Sequence, residues 1–246
     1  MALRHLDRPG PIEAVLFDFH STLVDQGDPA RWFDLAWVQA GRKGTAREAL
    51  GEKRFLELSN VVNRIWEHVT EIDPHNERDL SPRRHREVFD AFMARLPGVD
   101  DDLARALYEV MLETWIPYDD ALPTLRELKR RGIKIALVSN IGRDVRGVLE
   151  RGSLSEFFDA VILSCEVGSL KPSASIFEQA LSALRTAPAH ALMVGDNPRD
   201  DAGAALIGIR TLLLPRTAGL QHGLEIVLRL VGSGPRGGKA GPPRSM

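Results

Sequence analysis

The sequence of 246 residues contains a single cysteine, Cys165. A disulfide within the chain needs two cysteines, and a cysteine-rich zinc site needs several, so both are excluded. No stretch approaches the roughly 18 consecutive apolar residues of a membrane span, and the first residues hold no apolar run of signal-peptide length. We therefore expect a cytoplasmic protein with no membrane partner.

An excess of charge of one sign is also absent, since the formal net charge is -2. Nucleic-acid-binding proteins usually carry a basic patch or stripe, so we expect no nucleic-acid partner. Hydrophobic residues make up 43% of the chain and charged residues 27%, which is typical of a globular protein with ample material for a core. The length allows one large domain or two unequal ones.

An apolar run at residues 12–17 ends abruptly in Asp18. This nearly continuous run is typical of a strand that is covered on both faces in a parallel sheet. Ligands bind beyond the carboxyl ends of such strands, so Asp18 would be held rigidly toward a substrate. For this segment taken alone, an aspartate that merely caps the next turn is the simpler alternative.

Two regions with different patterns follow this strand. From about residue 28 to 115, apolar residues recur at helical spacing, and we predict about four helices and no strand. Strands and helices then alternate, which indicates a parallel sheet with helices on both faces. The predicted fold class is α/β, a Rossmann-like doubly wound parallel sheet with a helical block inserted after its first strand.

The predicted elements and domain boundaries follow from these patterns. Strands are predicted over residues 133–138, 160–163, 191–194 and 211–214, and helices over 119–131, 143–150, 176–184, 200–206 and 219–231. The domains are a core of residues 12–26 and 116–231, the helical block of residues 27–115, an N-terminal arm of residues 1–11, and a Gly- and Pro-rich tail of residues 232–246 that we expect to be disordered.

Polar side chains occur at or just after the ends of the predicted strands, and a doubly wound sheet would bring them to one crevice. These clusters are Asp18 with His20 and Thr22, Ser139 with Asn140, Lys171, and Asp196 with Asp200 and Asp201. We expect them to form a single site.

Two carboxylates at that crevice, Asp18 and Asp196, would repel each other unless a cation neutralised them. Ligation by oxygen alone indicates Mg²⁺ as the cofactor. The Ser139 hydroxyl and the Asn140 backbone amide suit a phosphoryl oxygen. Lys171 would orient the nucleophile and offset charge on the transferring group. Asp18 could then attack phosphorus as a carboxylate nucleophile.

Four motifs occur in the order DFHSTL, VSN, the lysine of LKPS, and VGDNPRDD. With this order, the sequence resembles the haloacid dehalogenase-like hydrolase superfamily over about residues 12–215. The resemblance implies a Rossmann-like core and makes the helical block an α-helical cap domain. It also implies Asp18 as the nucleophile and Lys171 as the stabilising cation.

The resemblance further implies a set of ligands. The implied Mg²⁺ ligands are Asp18, the backbone carbonyl of His20, Asp196 and Asp201, with Asp200 as a close rival of Asp201. Ser139 is implied as the phosphate binder, and to it we add Asn140 and Thr22.

His20 departs from the pattern, because phosphatases of this superfamily usually carry an aspartate at that position. The departure leaves the backbone carbonyl available to a metal. Histidine can act as a general acid or base near neutral pH, so we name His20 as a candidate catalytic residue. A nearby Mg²⁺ would disfavour its protonated form. A histidine that only fills the turn is the alternative.

We predict a Mg²⁺-dependent phosphatase of small phosphorylated metabolites that works through an aspartyl-phosphate at Asp18, as a monomer or homodimer. One alternative is a metal-independent 2-haloacid dehalogenase, although the fourth motif of those enzymes resembles Ser-Asn where this chain has Gly195-Asp196. A second alternative is a degenerate, non-catalytic binding protein. We also expect Trp115 at a hinge between cap and core, and His85 on the solvated surface.

Overall fold

The computed structural model describes residues 10–216 and 219–232. Within these residues the strands are β1 (Ala14–Phe17), β2 (Val24–Asp25), β3 (Ile116–Pro117), β4 (Lys134–Ser139), β5 (Ala160–Leu163), β6 (Ala191–Gly195) and β7 (Arg210–Leu213). Five form a parallel sheet in the order β5-β4-β1-β6-β7. This confirms the predicted α/β class. The predicted arm and tail lie almost wholly outside the described residues.

The α-helices in the same ranges are α1 (Pro29–Gln39), α2 (Ala46–Leu50), α3 (Glu52–Asn63), α4 (Ile65–His68), α5 (Pro82–Met93), α6 (Asp101–Val110), α7 (Ala121–Arg130), α8 (Arg146–Arg151), α9 (Ser164–Val167), α10 (Ala174–Leu184) and α11 (Glu225–Val231). Short 3-10 helices cover Val69–Glu71, Glu77–Leu80, Met111–Glu113, Ser155–Phe157, Pro188–His190 and Asp201–Ile207. None of the helices in the described residues combines the length and apolar character needed to cross a membrane.

Side chains of the parallel sheet alternate between two apolar layers. On one face, Phe17 and Leu137 pack in a cluster with Leu125 of α7. On the other face, Leu16 packs in a cluster with Phe177 of α10. Because both faces are covered, the strands carry near-continuous apolar runs instead of alternating with polar residues.

A third apolar cluster lies among the helices between β2 and β3. Its buried aromatic residues include Trp32 and Phe33 of α1, Phe55 of α3 and Phe89 of α5. This helical segment, α1 to α6, therefore packs around apolar contacts of its own. It contains six α-helices where about four were predicted, because short breaks such as Gly51, with φ of 77°, divide the longer helical stretches.

Two predicted helices start at least three residues later than expected, and side-chain hydrogen bonds to the backbone explain both. The Asp144 carboxylate accepts the backbone N–H of Arg146, so α8 begins there rather than at residue 143. The Asp120 carboxylate accepts the N–H groups of residues 222–224. These residues therefore remain a loop, and α11 begins only at Glu225. The helix predicted over residues 200–206 is present as a 3-10 helix at Asp201–Ile207.

Candidate active site

The central strands of the sheet end at one edge and bring the predicted polar side chains together. Asp18 directly follows β1, Ser139 ends β4, and Asp196 directly follows β6. These three strands are neighbours, with β1 in the middle. Carboxylate oxygens of Asp18, Asp196 and Asp201 lie within 4.8 Å of one another. Such spacing of oxygen donors suits a shared cation.

Lys171 lies between two of these carboxylates, although it is distant from both in sequence. Its Nζ donates to Asp18 Oδ1 and to Asp201 Oδ1, each at 2.6 Å, and the residue is 4% exposed. Burial alone would lower the pKa of Lys171, but the two carboxylates together outweigh burial and raise it. Lys171 is therefore a charged ammonium that holds the site together.

Asp201 and Asp200 occupy different positions at the crevice. Asp201 is fully buried, and its Oδ2 accepts the backbone N–H of Asn197 at 2.9 Å. A Cβ on Gly195 would lie 2.0 Å from that Oδ2, so only glycine leaves room for Asp201 beneath the end of β6. Asp200 is partly exposed and accepts from Asn197 Nδ2. Of the two, the carboxylate beside Asp18 and Asp196 is that of Asp201.

The side chain of Asn140 has a structural role at this site. Its Nδ2 donates to the backbone carbonyl of Lys171 at 2.9 Å, and its Oδ1 accepts the Lys171 N–H at 2.7 Å. These paired bonds tie the Lys171 loop to the end of β4. The predicted phosphate contact of Asn140 used the backbone amide, and it stays a prediction.

Thr22 is placed beside the predicted nucleophile. The residue is fully buried, and its hydroxyl donates to Asp18 Oδ2 at 3.2 Å. Each oxygen of the Asp18 carboxylate therefore has a side-chain partner, Lys171 on one side and Thr22 on the other. These contacts fix the direction of the carboxylate, which is a prerequisite for attack on a bound substrate.

His20 packs against an aromatic ring at the start of the turn after Asp18. The centroid of its ring lies 4.7 Å from that of Trp115, and its Nε2 is buried without a hydrogen-bond partner among the described residues. Burial lowers the pKa of His20, and the Arg216 charge lowers it further. The imidazole is therefore neutral near pH 7. The next residue, Ser21, has φ of 63°, a strained conformation for a residue other than glycine.

Arg216 is a site residue that the sequence analysis missed. Its Nε donates to Asp196 Oδ2, and the Asp196 side chain is almost fully buried while that of Arg216 is mostly exposed. The residue follows the last strand of the sheet, and no motif around it indicated an approach to Asp196. Arg216 therefore supplies a second cation at the crevice.

A cavity of about 190 Å³ extends from this site toward the helical segment. Its lining includes His20, Ser139 and Arg143 from the sheet side, and Trp66 and His85 from the helical segment. Asp200 and Trp115 also border it. The crevice beyond the strands thus continues into a small pocket that both parts of the chain enclose.

The surface prediction for His85 was wrong, because α5 turns this residue toward the cavity. His85 is 3% exposed, and its Nδ1 lies 3.0 Å from the Tyr108 hydroxyl. Burial, with the charges of Arg143 and Arg78, lowers the pKa of His85 to about 3. Its imidazole is therefore neutral throughout the physiological range.

A close contact joins the helical segment to the loop after β4. The Ser164 hydroxyl donates to the Asp79 carbonyl at 2.6 Å and accepts the Ile141 N–H at 2.9 Å. A Cβ on Gly142 would lie 2.3 Å from the Arg78 carbonyl, so only glycine permits this approach. This contact fixes the part of the cavity wall that Arg78, Asp79 and Ile141 form.

Replacing Asp79 by asparagine is expected to stabilise the protein at alkaline pH. Burial raises the pKa of Asp79 from 3.8 to about 7, outweighing the nearby Arg78 charge. The folded protein thus holds this proton more tightly than the unfolded chain, and stability falls as pH rises across that window and levels off above it. Asn avoids this loss, so the unfolding free energy should rise by up to about 4 kcal/mol at pH 8 and little at pH 4.

Urea denaturation at both pH values measures this effect, with Asp73→Asn as the matched control. Asp73 pairs with Arg78 at 3.0 Å and accepts two backbone N–H groups. Its substitution should therefore destabilise the protein at pH 8. If Asp79→Asn is less stable than the unmodified protein at pH 8, the ionised Asp79 carboxylate does not destabilise the fold, and the prediction is contradicted.

Two neighbouring strands of this parallel sheet are followed by carboxylates, and a buried lysine lies beside them. These features define the class of protein. It is an α/β protein with an acidic ligand crevice at the carboxyl edge of its sheet. A model of the haloacid dehalogenase-like hydrolase family matches residues 12–208. The chain belongs to this family, as the four motifs predicted.

Several known proteins are similar to this chain. A phosphoserine phosphatase of Thermus thermophilus is 36% identical over 138 residues, which is 55% of this chain and 49% of that protein. A ribulose-1,5-bisphosphate 5-phosphatase of Halopiger xanaduensis is 35% identical over 119 residues, 48% of this chain and 50% of that protein. The chain thus spans about half the length of these curated relatives.

Solved structures resemble the fold over a larger share of the chain. A HAD phosphatase from Thermococcus onnurineus has a TM-score of 0.61 at 22% identity and covers 91% of this chain and 99% of its own. The L-2-haloacid dehalogenase of Xanthobacter autotrophicus has a TM-score of 0.64 at 23% identity and covers 90% of this chain and 84% of its own. At these identities the likeness establishes the fold alone.

Proposed function

We propose that this protein is a Mg²⁺-dependent phosphatase of small phosphorylated metabolites with Asp18 as its nucleophile. The observation that carries the proposal is the group of carboxylate oxygens from Asp18, Asp196 and Asp201, within 4.8 Å of one another at the end of the central strands. The phosphatase names of two relatives that are similar over half their length support the same activity.

The residues at the crevice fit Mg²⁺ through the chemistry of their donors. Asp18, Asp196 and Asp201 offer only oxygen atoms, which Mg²⁺ prefers, and the backbone carbonyl of His20 would add another. Burial, with the neighbouring Asp196 carboxylate, raises the pKa of Asp18, and a divalent cation would relieve this crowding of negative charge. When bound, Mg²⁺ would neutralise charge on the transferring phosphoryl group.

The remaining steps belong to the protein's own side chains. An Asp18 oxygen attacks phosphorus, so an O–P bond forms while the bond from phosphorus to the leaving oxygen breaks. Lys171 and Thr22 hold the carboxylate in one direction during attack. Ser139 lines the adjoining cavity, and its hydroxyl would donate to a phosphoryl oxygen. Water then hydrolyses the aspartyl-phosphate, which releases phosphate and restores Asp18.

His20 would serve the second half of this reaction better than the first. A neutral imidazole can accept a proton from the attacking water, whereas protonating the leaving oxygen requires a charged imidazolium. Its lowered pKa and its buried, unpartnered Nε2 at the cavity support the role of base. The leaving group would then depart with a proton taken from solvent.

The helical segment α1 to α6 would act as the cap over this crevice. It supplies Trp66, Arg78 and His85 to the cavity wall, and Trp115 lies where it rejoins the sheet. A cap of this kind excludes bulk water and contacts the leaving group. In this arrangement the cap and the loop after β4 select the metabolite.

Phosphate release from a broad panel of phosphomonoesters tests the proposed function. We expect release with Mg²⁺ and a loss of at least about 100-fold after EDTA treatment, restored by added Mg²⁺. Purified protein should be assayed in parallel for halide release from 2-haloacids. Halide release that persists in EDTA would contradict the phosphatase proposal and indicate a dehalogenase. No turnover in either assay would indicate a binding protein.

A further inference from the structure

Arg143 is a cation in the cavity wall that the proposed reaction does not use. It is partly buried, lies four residues beyond Ser139, and lines the same cavity. Its guanidinium lies over the Tyr108 ring, 4.5 Å from the centroid, and Nη1 donates to the Tyr108 carbonyl. These contacts hold the side chain in place and leave its Nε and Nη2 without a hydrogen bond in the described part of the chain.

The charge of Arg143 has no counterion in the described residues. Within residues 10–216 and 219–232 no carboxylate lies within 4.0 Å of it, whereas Arg78, which also lines the cavity, pairs with Asp73 at 3.0 Å and Asp79 at 3.6 Å. Burial lowers the pKa of Arg143, since the charge is poorly solvated. An arginine that is held rigidly, partly desolvated and unpaired favours an anion in the space that it faces.

The size of the cavity restricts what this anion can be. About 190 Å³ corresponds to the volume of about six water molecules. A second cavity of about 440 Å³ shares His20, Trp66 and Asp200 with it, so the small volume restricts only the arm that Arg143 lines. With the phosphoryl group beside Ser139, little more than a short carbon chain fits between that group and Arg143. The planar fork of a guanidinium matches a carboxylate, which is smaller than a second phosphate and accepts two parallel hydrogen bonds.

We propose that Arg143 is a specificity-determining residue that binds a carboxylate on the leaving group. The substrates are then phosphorylated hydroxy acids with a short chain between the two anionic groups. The reaction that supplies them must either phosphorylate the hydroxyl of a short hydroxy acid or oxidise a terminal carbon of a phosphorylated alcohol or aldehyde to the carboxylate. This inference rests on the proposed phosphatase function for the identity of the other end of the substrate.

Binding measurements in an inactive background test the inference separately from the activity. Phosphorylated two-, three- and four-carbon hydroxy acids, each paired with its carboxamide, are titrated calorimetrically into Asp18→Asn protein with Mg²⁺. We expect at least one acid to bind at least 10-fold more tightly than its amide. Adding Arg143→Gln should weaken the binding of that acid about 10- to 100-fold and leave the affinity for the amide unchanged. Arg143→Lys should restore part of the preference.

Arg146→Gln is the matched control, because Arg146 lies on the same segment but pairs with Asp144 and Glu166 outside the cavity. It should keep the full preference for the acid. Equal binding of acids and amides, a preference that survives Arg143→Gln, or no binding of any pair at millimolar concentration would overturn the inference. In 1,2-propanediol bisphosphate a second phosphate takes the place of the carboxylate. Tighter binding of this compound than of every acid would also overturn the inference. If unmodified protein releases no phosphate but the acid preference is present, the phosphatase proposal fails and the Arg143 assignment stands.

Discussion

Replacing Asp18 by asparagine is expected to reduce phosphate release by at least about 10⁴-fold, because an amide oxygen cannot act as the nucleophile. The fold should survive the change. The asparagine oxygen can still accept from Lys171, and its amide N–H can donate to the Thr22 hydroxyl, so both side-chain partners of the carboxylate keep a hydrogen bond. Steady-state phosphate release measures the first effect, and thermal unfolding followed by circular dichroism measures the second.

Glu13→Gln is the control for this substitution. Glu13 is an exposed carboxylate that immediately precedes β1, at the opposite end of the strand from Asp18. The substitution also removes one negative charge next to β1, and the activity of this variant should stay within about two-fold of that of the unmodified protein. If the Asp18→Asn protein keeps more than about 1% of the rate, Asp18 is not the nucleophile.

Replacing Lys171 by methionine is expected to affect both stability and activity. It leaves the buried carboxylates of Asp18 and Asp201 without the cation that bridges them at 2.6 Å. Removing one partner of a buried ion pair costs about 3–5 kcal/mol of unfolding free energy at pH 7. Phosphate release should fall about 10²- to 10³-fold, because a preorganised charge at the transferring group is lost.

The loss of stability in Lys171→Met should depend on pH. Without the ammonium, burial and mutual repulsion keep the carboxyl pKa values above their unfolded values, so the variant loses stability as pH rises from about 4. In the unmodified protein, Lys171 has a pKa raised above 10.5, so its contribution to stability is complete below that pH. The difference between the two proteins should therefore be larger at pH 8 than at pH 4 in urea denaturation.

Lys134→Met is the matched control for this experiment. Lys134 is a partly buried lysine at the start of β4, and its Nζ donates to the backbone carbonyls of Leu184 and Arg185 rather than to a carboxylate. Its loss should cost about 1 kcal/mol with no change between pH 4 and pH 8. Equal costs and equal pH dependence for the two lysines would contradict the bridging role of Lys171.

Most of the sheet and the position of the site could be predicted from the sequence. Strands such as β5 and β6 are short apolar runs between turn signals, and the carboxyl ends of parallel strands must converge on one edge. Asp18, Ser139 and Asp196 therefore meet as expected. The start of α11 could not be predicted in this way, because Asp120, about 100 residues earlier, accepts the N–H groups that hold the loop before it.

The cavity was largely beyond prediction. His85 has helical spacing and polar neighbours, a pattern shared by surface histidines. It is buried by the loop after β4 and by the rings of Trp66 and Tyr108. Arg143 lies three residues after the VSN motif, so a position near the site could have been predicted for it, but not its lack of a counterion among the described residues. Nothing near Arg216 indicated its contact with Asp196. In each case the decisive neighbour belongs to a distant part of the chain.

The sequence by itself determined the order of strands and helices, the residues at strand ends, and hence the family, because periodicity and strand-terminal polar residues are local properties. Only the tertiary structure decided how the charges pair. Lys171 reaches Asp18 across 153 positions of sequence, while Arg143 has no counterion among the residues that the structure describes. Charge pairing depends on which elements pack side by side and how much water they exclude, and both are settled only when the whole chain is folded.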